Sequence, residues 1–112
     1  MAQAYKVLAQ TVVVANTDTT LYTVPAATET VVSTIKVCNV GAVARVFRVA
    51  IRLNGVAVAN QMYLEFDQAL PANDSYKVPG TYTLQITGGA DIILVRADHA
   101  DVVFSCYGTE IT

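Results

Sequence analysis

Apolar and polar residues alternate along most of this chain with a period of two, the spacing that sets successive side chains on opposite faces of a β-strand. The clearest stretch runs from Ala44 to Leu53, with Phe47, Val49, Ile51 and Leu53 on the inward face and Arg48 and Arg52 on the outward one. Glu29 to Asn39 sets Val31, Ile35 and Val37 against Lys36. Met62, Leu64 and Phe66 alternate with Tyr63 and Glu65, and Tyr82, Leu84 and Ile86 alternate with Thr81, Thr83 and Gln85. Near the end, Val102, Phe104 and Cys106 share a face. No stretch sustains a helical apolar period over three turns, and the β-branched residues recur throughout.

Turn-forming residues punctuate these segments: Asn16-Thr17-Asp18, Val40-Gly41-Ala42, Leu70 to Asp74, Gly88-Gly89 and Asp98 to Asp101. Asn54-Gly55 predicts a hairpin turn of the primed type, because both residues tolerate positive φ, with Val56 to Ala59 beginning the return strand. Ahead of these, Tyr5 to Ala15 and Thr20 to Val24, stopped by Pro25, predict an N-terminal hairpin or arm. The pattern predicts an all-β fold, an antiparallel β-sandwich or jelly-roll-like barrel of about eight or nine short strands. Its expected core includes Ile35, Val37, Phe47, Val49, Ile51, Leu84, Ile86 and Phe104.

Length turns this pattern into one domain. A chain of 112 residues with 54% hydrophobic residues has material for one core and not for two. Residues 1–112 are therefore read as a single β-sandwich domain, with residues 1–12 an extended N-terminal arm or an extra strand. Only 14% of the residues are charged, against about 25% in an average soluble domain. The surface is built from Thr, Ala, Val, Asn and Gln, which repel a neighbouring chain weakly, so packing into an assembly is expected rather than a free monomer.

The same charge balance bears on partners. Net charge is −2, and the only basic cluster, Arg45, Arg48 and Arg52, splits between two faces of a strand, so nucleic acid is not an expected partner. The N-terminal sequence Met1-Ala2-Gln3-Ala4-Tyr5-Lys6 lacks the basic start and apolar run of a signal peptide, so folding in a cytoplasm is expected. The densest apolar runs, Val12 to Ala15 and Ile92 to Val95, are far shorter than a membrane span, and no membrane partner is expected.

Chemistry-bearing residues are sparse. Asp98-His99-Ala100-Asp101 joins two carboxylates to the only histidine, a set that can hold a divalent cation or move a proton, yet the same residues are what a β-turn requires. Ser33, Ser75 and Ser105 stand in no nucleophile elbow. Glu65 and Asp67, the one close carboxylate pair on a strand, are expected on the same face without an opposing partner. Gly88-Gly89 lacks the helix and lysine of a phosphate cradle. Six tyrosines, Tyr5, Tyr22, Tyr63, Tyr76, Tyr82 and Tyr107, can act as stacking platforms for a sugar or as core-edge residues with a wet hydroxyl. No catalytic, metal-binding or cofactor-binding residue is assigned, no small-molecule substrate is expected, and the chain is read as a non-enzyme.

Four stretches carry a family resemblance: Thr20 to Ala26 (TLYTVPA), Val31 to Asn39 (VVSTIKVCN), Ala44 to Arg52 (ARVFRVAIR) and Phe104 to Thr112 (FSCYGTEIT). Together they resemble small β-sandwich structural proteins encoded among the virion genes of tailed bacteriophages, over most of the chain from Thr20 onward. The resemblance implies a virion protein assembled in the host cytoplasm, a capsid decoration or cement protein that stabilises the particle through contacts with the major capsid protein or other virion proteins. Its alternatives are a tail, neck or fibre component and a carbohydrate-binding β module for host recognition. A homo-oligomer is expected, and no catalytic residue carries over.

Cys38 and Cys106 are the only cysteines, and in a reducing compartment two lone cysteines are small buried hydrophobes rather than a bridge. Strong reductant should therefore leave the melting temperature unchanged; a fall of many degrees would reveal a structural disulfide.

Overall fold

Strands with one apolar face bury it only by facing another such layer, so repeated alternation calls for two packed sheets. The computed structural model, which describes residues 2–112, has this arrangement; Met1, the first residue of the expected arm, lies outside them. The described residues form eleven strands: β1 (Gln3–Val12), β2 (Thr19–Thr23), β3 (Glu29–Asn39), β4 (Arg45–Arg52), β5 (Tyr63–Leu70), β6 (Ser75–Val78), β7 (Tyr82–Leu84), β8 (Ile86–Thr87), β9 (Gly89–Ala90), β10 (Ile92–Ala97) and β11 (Val102–Ile111). One sheet, sheet A, runs β1-β11-β3-β6 with β7 also on β3; sheet B runs β2-β10-β4-β5; β8 and β9 form a small ribbon. Every pairing is antiparallel.

β6 pairs with Ile35–Cys38 and β7 with Thr30–Val32, so the two are one strand interrupted at Pro79-Gly80. With β6–β7 counted once and the β8–β9 ribbon as an insertion, the strand order is that of an eight-stranded jelly roll, two Greek keys rolled against each other. The expected all-β sandwich is what the structure shows.

The buried apolar residues form one cluster between the sheets. At its centre Phe47 of sheet B meets Phe104 of sheet A edge-on, with ring centroids 6.1 Å apart, and Tyr76 at 5.5 Å. Ile35, Val37, Val49 and Leu84 are fully buried around them, and Ile51 packs against the cluster from its edge.

Several positions depart from strict alternation. Val31 does not share the inward face of Ile35 and Val37, because the register between β3 and β11 shifts between Tyr107 and Gly108 and leaves Ser33 as an extra residue. Such a bulge inverts the phase, so Thr30 and Val32 turn inward before it and Ile35, Val37 and Asn39 after it. Gly108 makes this possible, since a Cβ there would strike the backbone of Val31.

Ile86 leaves sheet A for the ribbon with Ala90 and is 43% exposed rather than core. Phe66 is 54% exposed, because β5 carries its own bulges opposite Phe47–Ala50, with Asp67 at φ 50°. Leu53 is exposed as well, because the chain turns there.

Asn54 and Gly55 do adopt positive φ, 57° and 69°, but Val56 to Ala59 is not a strand. The Arg52 guanidinium donates to the Gly55 and Val56 carbonyls at 2.8 and 2.7 Å, which a returning strand would need, and pairing with β4 resumes only at Tyr63. The 53–62 segment lies against the outer side of sheet B, where Ala57 and Val58 neighbour Leu94. Nor do the first two strands form the expected hairpin. β1 lies in sheet A on β11 and β2 in sheet B on β10, so the chain crosses from one layer to the other after Val12.

Phe47→Ala should remove about 3–5 kcal/mol of stability, the usual cost of emptying a buried aromatic site. Denaturant unfolding reads this directly, and a loss below about 1 kcal/mol would contradict the central position of the ring.

Candidate functional site

Most residues with chemical potential are engaged in holding the fold. In the Asp98–Asp101 loop, Asp98 accepts the Val46 amide of β4 at 3.2 Å, tying the loop to sheet B, and His99 Nδ1 accepts the Asp101 amide at 3.0 Å within the turn. Among the described residues no three His, Cys, Asp or Glu side chains converge on a common point. Glu65 and Asp67 do not share a face. Between them the β5 bulge reverses the strand, so Glu65 lies by the Tyr76 hydroxyl while Asp67 turns outward to Arg48 at 2.7 Å. That guanidinium holds the Asp67 carboxyl below the usual carboxylate range.

The serines and cysteines are equally dispersed. Ser33 donates to the Tyr107 carbonyl at 3.2 Å, while Ser75 and Ser105 lie on the outer side of sheet A. Cys38 faces outward on β3 and Cys106 inward on β11, so both thiols are free, and burial pushes the Cys106 thiol up to about 11. Gly88-Gly89 is the tip of the β8–β9 ribbon, with Gly89 pressed against the Asn54 carbonyl where no side chain fits.

Two buried polar residues that alternation did not reveal tie the ends of the sandwich. Asn39, fully buried at the end of β3, donates to the Val43, Leu70 and Pro71 carbonyls and accepts the Gly41 amide. Asp91, 3% exposed at the opposite end, accepts the Asn54 and Gln85 amides at 2.9 and 3.1 Å. Each satisfies its partners completely, as burial of such groups demands.

A third polar group joins the sheets. The Tyr22 hydroxyl on β2 donates to Glu110 Oε2 on β11 at 2.5 Å, so its 2.9 Å bond to Thr30 on β3 must be donated by the threonine. Glu110 Oε1 meets Lys6 Nζ of β1 at 2.5 Å. The bonds from Lys6 and Tyr22 hold the Glu110 carboxyl below its ordinary value, while burial and the adjacent carboxylate push the Tyr22 hydroxyl up. Four strands of both sheets meet in this one chain of bonds.

The outer sides of the two sheets differ sharply. On sheet B, Arg48 and Arg96 stand directly opposite each other, each drawn to a carboxylate: Asp67 for Arg48 and, at 3.3 Å, Asp18 for Arg96. Arg48 also lies 4.0 Å over the Phe66 ring, which meets Tyr63 edge-on at 4.9 Å. The arginines are thus paired within the chain.

On sheet A the register sets out rows across the strands: Val12, Val103, Cys38 and Ser75; Gln10, Ser105, Lys36 and Lys77; Val7, Tyr107 and Thr34; Tyr5, Thr109, Val31 and Thr83. A last row holds Gln3, Ile111 and Glu29, so charge on this face is confined to Lys36, Lys77 and Glu29. Tyr5, Val7 and Val12 are 83%, 52% and 63% exposed. Between Gln10, Lys36, Ser105 and Tyr107 the face sinks into an open depression of about 650 Å³. Among the described residues this is a broad face built mainly of apolar and small neutral side chains.

The linked carboxylate predicts a pH dependence. A carboxyl held low in the folded state contributes stability above its unfolded value, near 4.3, and that contribution is lost as pH falls through the folded value. Glu110→Gln should lower stability at neutral pH and flatten its decline on acidification. Urea unfolding across the acid range checks this, and an unchanged acid slope would contradict it.

Comparison with family models, curated proteins and solved structures finds no match for this chain, so the reading of its surfaces rests on their own chemistry.

Proposed function

We propose that this chain is a structural virion protein of a tailed bacteriophage, a capsid decoration or cement protein that stabilises the particle by seating the outer face of sheet A on neighbouring virion proteins. The observation that carries the reading is that face. It presents Tyr5, Val7 and Val12 to solvent with charge limited to Lys36, Lys77 and Glu29, while every arginine of β4 and β10 with an ion pair spends it inside the chain. A low-charge face of this kind loses little hydration on contact, and burying its apolar residues favours association. The jelly-roll order suits the role without specifying it, because that fold serves capsids and lectins alike. The virion setting itself comes from the resemblance of the four sequence stretches.

A decoration protein works by mass action. It binds the assembled particle and not its dissociated parts, so occupancy raises the particle's resistance to heat. The depression beside Tyr107 favours a second reading, a carbohydrate-binding module, because a tyrosine ring beside hydroxyl and amide side chains is a platform on which a sugar can stack.

The test uses Lys36→Glu with Ser75→Glu, two exposed positions on β3 and β6 in the middle and at the far side of the face. Unpaired charges placed in a contact should lower occupancy on purified particles roughly tenfold or more, and the thermal protection of the particle should fall with it. Full occupancy by the variant would contradict docking through this face, and particles without the protein would contradict the virion role. Binding to host-surface glycan in place of particles would select the second reading.

A further inference from the structure

A sheet edge is an open template for another strand, and folded proteins guard it with charge, proline, bulges or brevity. Three of the four edges here are guarded. β5 carries Glu65 and Asp67 and is bulged. β6–β7 carries Lys77 and is broken at Pro79-Gly80. β2 is five residues long and stops before Pro25. β1 is the least guarded: it runs for ten residues, contains no proline, glycine or acidic residue, its one charge, Lys6, is bound to Glu110 of the same chain, and its single bulge, at Leu8, is its only other guard.

β1 also has an internal symmetry that its sequence does not display. Its register on β11 shifts between Val7 and Ala9, leaving Leu8 as an extra residue. Before the shift Gln3, Tyr5 and Val7 face outward; after it Gln10 and Val12 do. In a two-fold antiparallel pair, opposed residues must point to the same side of the sheet. An unbroken strand meets that condition only when opposed residues have the same parity in sequence, whereas this bulge requires opposite parity.

A two-fold axis between Leu8 and Ala9 meets that condition at every pair from Tyr5 to Val12. It sets Tyr5 against Val12 and Val7 against Gln10 on the outer side, and Lys6 against Thr11 and Leu8 against Ala9 on the inner. The two Lys6 side chains then stand about 16 Å apart along the strands, beyond the screening length at physiological salt, each with its own Glu110.

We propose that β1 pairs with β1 of a second copy of this chain about this axis, joining the two A sheets into one continuous sheet. The occupant is a second copy because the edge matches itself in register and facing with its two Lys6 charges kept apart, and because pairing would set Tyr5 against Val12, both of which the single chain leaves exposed. The two outer faces become one surface of doubled width. The pairing stands whether or not that surface docks on a particle.

Sedimentation of the purified full chain tests it with two double variants that differ at one position. Val7→Lys with Gln10→Lys sets like charges opposite each other twice across the axis; Val7→Lys with Gln10→Glu sets opposite charges there. Both residues are exposed in the single chain, so the fold should survive, which circular dichroism checks. The wild-type chain should sediment as a dimer at micromolar concentration. The like-charge variant should raise the dissociation constant about tenfold, and the opposite-charge variant should restore dimerisation. A monomeric wild type, a like-charge variant that dimerises as well as wild type, or equal weakening in both variants would each overturn the proposal. None of these outcomes depends on Lys36 or Ser75, so failure of the edge and failure of the docking face remain distinct.

Discussion

The contact of Phe47 with Phe104 and Tyr76 joins the two sheets, and the rest of the architecture follows from keeping that layer closed. Aligned sheets pack about 10 Å apart, so each strand must present an uninterrupted apolar face over its length in the core. Long twisted strands do not keep phase with their neighbours indefinitely. β1, β3 and β5 each correct it with a bulge, and at Gly108 the absence of a side chain lets one of those corrections close.

Polar groups complete the structure where the apolar layer ends. Asn39 ties the loops at one end, Asp91 ties those at the other, and the Thr30–Tyr22–Glu110–Lys6 chain links both sheets beside β1. Because these groups bond to backbone amides, carbonyls or one another, burial costs them little, and removing one partner would strand the other. The constellations that draw the eye in the sequence, such as Asp98-His99-Ala100-Asp101, prove to serve turns. Two surfaces stay without a partner in the single chain: the sparsely charged outer side of sheet A and the edge of β1.

Alternation made the sandwich legible, together with Phe47, Val49, Ile35, Val37, Leu84 and Phe104 as its core, because those residues lie in stretches where the phase is unbroken. Val31, Phe66 and the Glu65–Asp67 pair fell on the wrong face because each adjoins a bulge, and a bulge leaves no mark on composition. Asn54-Gly55 signals the positive φ that it adopts, but the primed hairpin it predicts gives way to a ten-residue excursion, whose cause, Arg52 capturing two carbonyls, is a contact rather than a propensity. The inter-sheet tie was hidden for a similar reason, since Tyr22 and Glu110 are 88 residues apart. The low charge pointed to association, but only the register shows that the neutral residues gather on one face.

The account holds that this protein acts through the β1 edge and the adjoining face of sheet A. Residue-resolved hydrogen exchange, measured on the dilute chain and again on its associated form, tests this most directly. The amides of β1 that point away from β11 should exchange rapidly in the dilute chain and slow by at least tenfold on association, while amides in the 53–62 segment on sheet B keep their rates. Protection appearing over the 53–62 segment or β5, with β1 unchanged, would contradict it.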